Sequence, residues 1–370
     1  MRTYTREEAL CLWLHHATGA HALLFSQLMA RYRTPGAVYE LAQKGTASAF
    51  TQWGQAFAGK LSALANEEEV ERHILWLKEN KTEIVSLFSE QYPALLKEIR
   101  HPPAVLYVRG RLPEELPLPI AVVGMRKHTA YGEAVALHFG QELAKHGATV
   151  VSGMAAGIDG AAHAGALRCE EAEFPTLAVL GSGIDVIYPS SNARLYYEII
   201  ERGAVVTEFL PGTKPNRENF PIRNRVISGL SRGVVVVEAA SRSGTTITAN
   251  HALDQDRDLF AVPGRITDES SVGPNGLIQR GEAKPVFCAM DILCEYGVTG
   301  EAPKPAEAPD TSGLTQSQLQ VVDLLKQGER SADEICELLS MSVSEVNSNL
   351  TSLQFSGIIK QLPGRVFGLS

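Results

Sequence analysis

The chain has 370 residues, 44% of them hydrophobic and 21% charged, the balance of a soluble globular protein with room for two or three domains. It carries 34 Lys+Arg against 42 Asp+Glu, a formal net charge of -8, so any surface for an anionic polymer has to be local rather than spread over the molecule. Cys11, Cys169, Cys288, Cys294 and Cys336 are scattered, with no Cys-x-x-Cys, which argues for reduced thiols and against a disulfide frame or a structural zinc site. The first residues lack the apolar core of a signal peptide, and no apolar run approaches the ~18 residues of a membrane span. A cytoplasmic location, with no resident metal or cofactor, is the expectation.

Residues 1–80 read as short helices over Glu7–His16, Ala20–Tyr32, Pro35–Gln43 and Glu67–Glu79, broken near Gly19, Gly36 and Gly45. Such pieces suggest a SAM-like or helix-hairpin-helix bundle serving as a spacer or protein contact. From Ile84 to Gly110 the pattern turns to short extended pieces between prolines, and Ile120-Ala121-Val122-Val123 opens a series of apolar strands. Further strands are predicted at 148–151, 176–180, 204–206, 233–237 and 259–262. Helices alternate with them near 130–146, 157–169, 190–202, 220–231 and 245–256. Apolar strands alternating with helices predict a doubly wound, Rossmann-like parallel sheet, which the pieces at 84–110 and 285–287 would extend. This core spans 84–296. Residues 297–313, rich in Pro, Ala and Glu, read as a linker. The segment 314–370 reads as three helices and a small two-stranded hairpin, a winged helix.

Ligands of such a sheet bind at the carboxyl ends of its strands. The loops there begin Gly124-Met125-Arg126, Ser152-Gly153, Gly181-Ser182-Gly183, Thr207-Glu208 and Glu238, the last running on through Arg242-Ser243-Gly244-Thr245. Four of them set Gly beside Ser, Thr or Arg at a helix start, where bare backbone N–H groups receive phosphate. After Glu208 comes the most basic stretch of the chain. Between Lys214 and Arg232 stand Lys214, Arg217, Arg223, Arg225 and Arg232 against the single acid Glu218, with Phe220 and Asn224 among them. Asn219 and Pro221 also suit a helix start with Val226, Ile227 and Leu230 on its buried face, and the two readings are compatible. A dinucleotide site would need Gly-x-Gly-x-x-Gly after the first strand and an acid ending the second, and a nucleotidase would need a P-loop. None is present. A basic rim with a flat ring suits single-stranded nucleic acid, whose backbone follows the charge while its bases stack.

His128, Asp159, His163, Asp185, Glu208 and Glu238 fall near strand ends, yet they form no recognised catalytic spacing. His163 reads as a buried histidine, and Asp185 and Glu208 as partners of loop N–H groups or of arginines. No catalytic residue is assigned.

The motifs Val123-Gly124-Met125-Arg126, Ser152-Gly153-Met154-Ala155-Ala156-Gly157-Ile158-Asp159, Gly181-Ser182-Gly183-Ile184-Asp185 with Tyr188-Pro189, and Phe220-Pro221-Ile222-Arg223-Asn224-Arg225 occur in that order. They are followed by Ser243-Gly244-Thr245-Thr246 and Ala261-Val262-Pro263-Gly264. Together they resemble the DprA/Smf family of bacterial DNA-processing proteins over about 84–296, and the two ends resemble that family's SAM-like and winged-helix modules. The resemblance implies an extended Rossmann fold without established enzymatic activity. Its implied work is to bind and protect single-stranded DNA and to load a RecA-type recombinase during natural transformation, as a homodimer. By motif position it places Arg126, Arg217, Phe220, Arg223 and the Ser243-Gly244 loop in the DNA pocket. Met125 stands where the family usually has Ser, and Arg217 where relatives often carry Lys. A rival class is a nucleotide-processing enzyme such as a phosphoribohydrolase, whose phosphate loop Ser243-Gly244-Thr245-Thr246 is similar to, although Ala249 and Asn250 follow where that enzyme needs a glutamate. Phe287, Met290, Ile292 and Leu293 are the candidates for the dimer surface. The predicted recognition helix, Ser342–Phe355, holds no Lys or Arg, so the winged helix is expected to contact protein, or DNA only weakly.

Overall fold

Runs of Val, Ile and Ala that are buried on both faces build the centre of the molecule. In the computed structural model these form β3 (Pro119–Val123), β4 (Thr149–Ser152), β5 (Thr176–Val179), β6 (Ala204–Thr207), β7 (Gly233–Val236) and β8 (Asp258–Ala261). Preceding them are β1 (Glu83–Ser86) and β2 (Val105–Gly110), and β9 (Lys284–Pro285) follows. The nine strands lie in the order β1-β2-β6-β5-β4-β3-β7-β8-β9. The six central strands and β9 run parallel, whereas β1 pairs with β2, and β2 with β6, antiparallel. The expected extension by 84–110 and 285–287 is therefore present, with an antiparallel edge on one side.

The connections are α7 (Ala130–Lys145), α8 (Ile158–Leu167), α9 (Ala193–Arg202), α10 (Asn219–Gly229) and α11 (Gly244–Asp254). Thr129 caps α7 by accepting from Gly132 N–H. Chain order reverses beside β3, whose neighbours are β4 and β7, so the crevice of a doubly wound sheet opens above the ends of β3 and β7.

The helices before the sheet are α1 (Arg6–Thr18), α2 (Ala22–Tyr32), α3 (Pro35–Gln43), α4 (Gln55–Leu64) and α5 (Glu67–Glu79). Thr5 forms a capping box with Glu8, Thr34 caps α3 ahead of Pro35, and Asn66 caps α5. The sequence reading missed α4 and the 3-10 helix Ala47–Trp53, whose small and polar residues show little periodicity. The helical segment shares its core with the sheet: Trp13, Phe25 and Leu28 belong to one cluster with Ile84, Tyr107, Ala178 and Tyr196. Met1–Gly300 accordingly forms one compact unit.

Short elements complete this unit: α6 (Ala94–Glu98), α12 (Val272–Gln279) and α13 (Ala289–Leu293). The second unit, Glu301–Ser370, holds α14 (Gln316–Lys326), α15 (Ala332–Leu339) and α16 (Val343–Phe355). Its small sheet is made of β10 (Arg330–Ser331), β11 (Ile359–Leu362) and β12 (Val366–Leu369). With order β10-β12-β11, the wing has three strands rather than the two expected. The structure describes residues 2–241, 243–299, 314–326, 328–356, 358–362 and 366–369. Arg242, Gly357, Arg365 and nearly all of the predicted linker lie outside the described residues.

Candidate nucleic-acid interface

The loops at the carboxyl ends of β3, β4 and β7 converge with the start of α10 on a cleft of about 390 Å³. Arg126 and Arg217 are exposed at this cleft, Phe220 is half-buried, and Arg223 and Asp159 are buried. Gly124, Asn224, Ser243, Gly244 and Thr245 complete the predicted set that lines it. Residues scattered over 120 positions of sequence thus meet because each follows, or lies near, the end of a neighbouring parallel strand.

Phe220 is the hub. The Arg126 guanidinium lies 4.5 Å from the centre of its ring, a cation–π distance that holds the charge at the mouth of the cleft. A Cβ at Gly181 would come 2.8 Å from the Phe220 ring, so glycine is needed there for the ring to pack. Asn219 Nδ2 donates to Gly181 O at 3.2 Å, and Asn224 Nδ2 donates to Gly244 O at 3.2 Å. Helix α10 is thereby bonded to the loops after β5 and β7. The first turn of α11 presents Gly244 exposed and Ser243 half-buried, a helix start with backbone donors open to an anion.

Arg223 differs from the other arginines. It is 4% exposed; its guanidinium donates to Gly153 O at 2.6 Å and also to Val179 O. Any side chain at Gly153 would collide with that guanidinium, which explains the glycine. Burial pulls the Arg223 pKa down to about 10, opposed by Asp159, so it remains charged at neutral pH. Asp159 shows the converse: burial raises its pKa, against the pull of Arg223 and of the backbone N–H groups of Gly124, Ala155 and Gly153. Arg223 therefore ties the loop after β4 to the end of β5 and sets a fixed positive charge beneath the cleft.

Gly153 and Gly181 back the cleft without lining it, and Arg225, Ser152 and Gly183 are placed elsewhere. Arg225 turns away from the cleft, pairs with buried Glu208 and donates to His101 O at 3.0 Å. Its charge is neutralised inside the protein: two positions along a helix carry its side chain about 200° round from that of Arg223. Ser152 is fully buried and donates to Val122 O at 2.6 Å, a strand-to-strand contact. Gly183 packs against the backbone of Leu210 and Gly212. Arg242 lies outside the described residues.

The possible acid–base groups also have structural duties. His163 is buried, with Nδ1 2.6 Å from Thr176 Oγ1, and burial lowers its pKa to about 3. It is neutral at physiological pH, held by the Thr176 hydroxyl with the Ser152 backbone beside it. Asp185 accepts from Gly212 N–H at 2.8 Å. Glu238 accepts from Thr129 N–H at 3.0 Å and from its hydroxyl at 2.6 Å, which fixes the start of α7. Among the described residues no three His, Cys, Asp or Glu side chains group as metal ligands.

The sequence reading assigned no role to Tyr188, whose ring centre lies 5.7 Å from that of Phe220. Its signal was its place, with Pro189, in the motif that follows the Gly181-Ser182-Gly183 loop. A larger groove of about 700 Å³ is lined by Ser241, Thr246, Ile266, Val272, Leu277 and Phe287. Among the described residues Arg280 is the one cation that lines it, against Arg126, Arg217 and Arg223 at the smaller cleft, so charge, not volume, singles out the smaller cleft. The expected dimer surface also needs correction. Phe287 is 77% exposed, but Met290, Ile292 and Leu293 are buried in the chain's own core, where α13 turns its apolar face inward.

Residues 83–297 match the family described as DNA recombination-mediator protein A, and residues 302–365 match the DprA winged helix domain. Protein Smf of Escherichia coli is 37% identical over 303 residues, 80% of each chain. DNA processing protein DprA of Bacillus subtilis is 40% identical, over 64% of this chain and 80% of its own. The crystal structure of DNA processing protein A from Streptococcus pneumoniae superposes with a TM-score of 0.65 at 31% identity, covering 80% of this chain and 99% of that one. A structure concerned with the single-stranded DNA binding mode of the Helicobacter pylori protein gives 0.52 at 27% identity, covering 58% and 95%. No helix among the described residues is long and apolar enough to cross a membrane. Fold, strand-end loops and sequence all agree, and the chain belongs to the DprA/Smf family of DNA-processing proteins.

Proposed function

We propose that the cleft binds single-stranded DNA, with Arg126 and Arg217 meeting phosphates and the open N–H groups of the Ser243-Gly244-Thr245 turn receiving another. The observation that carries this reading is the Arg126 guanidinium held over the Phe220 ring at the mouth of the cleft. It sets a phosphate-binding charge against an aromatic cluster, Phe220 with the neighbouring Tyr188, the pairing a sequence-tolerant strand requires. The Helicobacter pylori relative, described by its single-stranded DNA binding mode, supports it. On the same family grounds the protein would act in the cytoplasm, protect incoming strands and pass them to a RecA-type recombinase as a homodimer, without catalysis of its own. The dimer surface proposed here is the apolar groove with exposed Ile266 and Phe287 at the β9 edge.

Fluorescence anisotropy of labelled oligo-dT and of a matched duplex, titrated over several salt concentrations, tests the proposal. Tight binding of the single strand, with Arg126→Ala lowering affinity and reducing the salt slope by about one, is the expected outcome. Equal affinity for duplex, or an unchanged slope, would refute it. Release of free adenine from AMP would instead favour the phosphoribohydrolase reading.

A further inference from the structure

The face of Phe220 is not free. Arg126 lies over it at 4.5 Å, and Gly181 packs against the Cδ1–Cε1 edge of the ring, where a Cβ would come to 2.8 Å. A base that simply stacked on Phe220 would have to displace the arginine that holds its phosphate. The aromatic surface that remains open beside it is Tyr188, 40% exposed, with ring centres 5.7 Å apart and planes inclined by 38°.

Tyr188 is presented by a firmly bonded segment. Ser182 Oγ donates to Val186 O at 2.8 Å, and Val186 N–H donates to Gly183 O at 3.0 Å. Just beyond the tyrosine, Asn192 Nδ2 donates to Met154 O at 3.0 Å, in the loop that contributes Ala155 to the cleft. The ring is thus fixed relative to the cleft, while its hydroxyl has no hydrogen-bond partner among the described residues. An exposed aromatic side chain on a tied-down loop loses little conformational freedom when a ligand covers it.

Resting on the single-stranded DNA reading above, we infer that Tyr188 is the base-stacking platform of this site and that Phe220 is its support. Arg126 and Tyr188 both touch the same ring. A nucleotide whose base lies on Tyr188 therefore has a phosphate-binding charge within the breadth of one side chain. The division of labour is specific: Tyr188 carries the base, Arg126 the phosphate, and Phe220 holds both in register.

The two contributions separate in a salt titration, because stacking releases no counterion whereas a phosphate contact does. Tyr188→Ala, Tyr188→Phe and Arg126→Ala would be compared with the full-length protein on fluorescein-labelled oligo-dT, and with a strand carrying 2-aminopurine as a stacking reporter. Circular dichroism would confirm that each variant is folded. The expected result is about a tenfold loss of affinity for Tyr188→Ala with an unchanged salt slope, less quenching of 2-aminopurine, and near-normal binding by Tyr188→Phe. Arg126→Ala should reduce the slope. If Tyr188→Ala binds normally while Arg126→Ala is impaired, the inference is wrong and the cleft remains the DNA site. A loss in Tyr188→Phe equal to that in Tyr188→Ala would also overturn it, by assigning the effect to the hydroxyl. If the unmodified protein fails to bind oligo-dT at low salt, the underlying reading falls, and the inference with it.

Discussion

Arg223 and Arg225 are separated by one residue and have opposite surroundings. Arg223 reaches beneath the cleft and bonds to the loop after β4 and to the end of β5, whereas Arg225 reaches the other flank of α10 and is consumed by Glu208. Removing one partner of a buried ion pair leaves the other charge uncompensated. Arg225→Ala should therefore destabilise the protein by about 3 kcal/mol, visible in urea unfolding, while the salt slope of DNA binding stays as it was. A variant of unaltered stability with a reduced slope would instead return Arg225 to the interface. Glu208 adds to the cost, since its second oxygen is buried without a partner among the described residues.

Between elements, a histidine joint links the helical layer to the sheet. His15 on α1 has Nε2 2.8 Å from Glu208 O, and the Tyr107 hydroxyl on β2 lies 2.8 Å from His16 Nε2. His16 in turn stacks on His73 of α5 with ring centres 3.7 Å apart. Burial, the first cause in each case, lowers these pKa values to about 4 for His15, 2 for His16 and 4 for His73. A histidine with a depressed folded pKa stabilises the protein above its unfolded value near 6.5, and that stability is lost as the pH falls. Asp159 and Glu208 are shifted upward and work in the opposite sense, since acidification relieves their burial. With three histidines in one joint, and His163 lowered as well, the melting temperature should decline from pH 6.5 toward 4. His73→Phe, which keeps an aromatic ring against His16, should flatten that decline. A melting temperature constant over this range would contradict the assignment. Helices α7 and α8 illustrate packing at the same scale: Gly140 faces Ala162 O and Gly165 faces Leu137 O, and neither position has room for a Cβ, so these glycines permit the close crossing.

For the molecule as a whole, every described residue of the cleft lies within Met1–Gly300. A chain ending at Thr299 should therefore bind oligo-dT as tightly as the full-length protein when compared by anisotropy. A large loss would show that the second unit contributes to the strand's path. Residues 314–370 carry four basic side chains against six acids, and α16 contains none of the four. Of the exposed positions of α16, Ser344, Asn347, Ser348, Thr351 and Phe355 are uncharged and Glu345 is acidic, so the helix offers no positive charge to a phosphate backbone, which fits a protein contact better than a DNA groove. The alternation of apolar strands and helices, the glycine-bearing loops at the strand ends and the basic run around Phe220 were legible in the sequence alone. Strand type and loop position depend on local residue pattern, and the parallel sheet carries successive loops to one rim. Tertiary structure decided how that rim is used. Helical rotation sent Arg225 to Glu208, burial put Met290, Ile292 and Leu293 inside the chain's own core, and folding of the loop after β5 brought Tyr188 against Phe220. Sequence spacing fixes which residues share a rim, but the direction and partner of each side chain follow from packing among segments far apart in the chain.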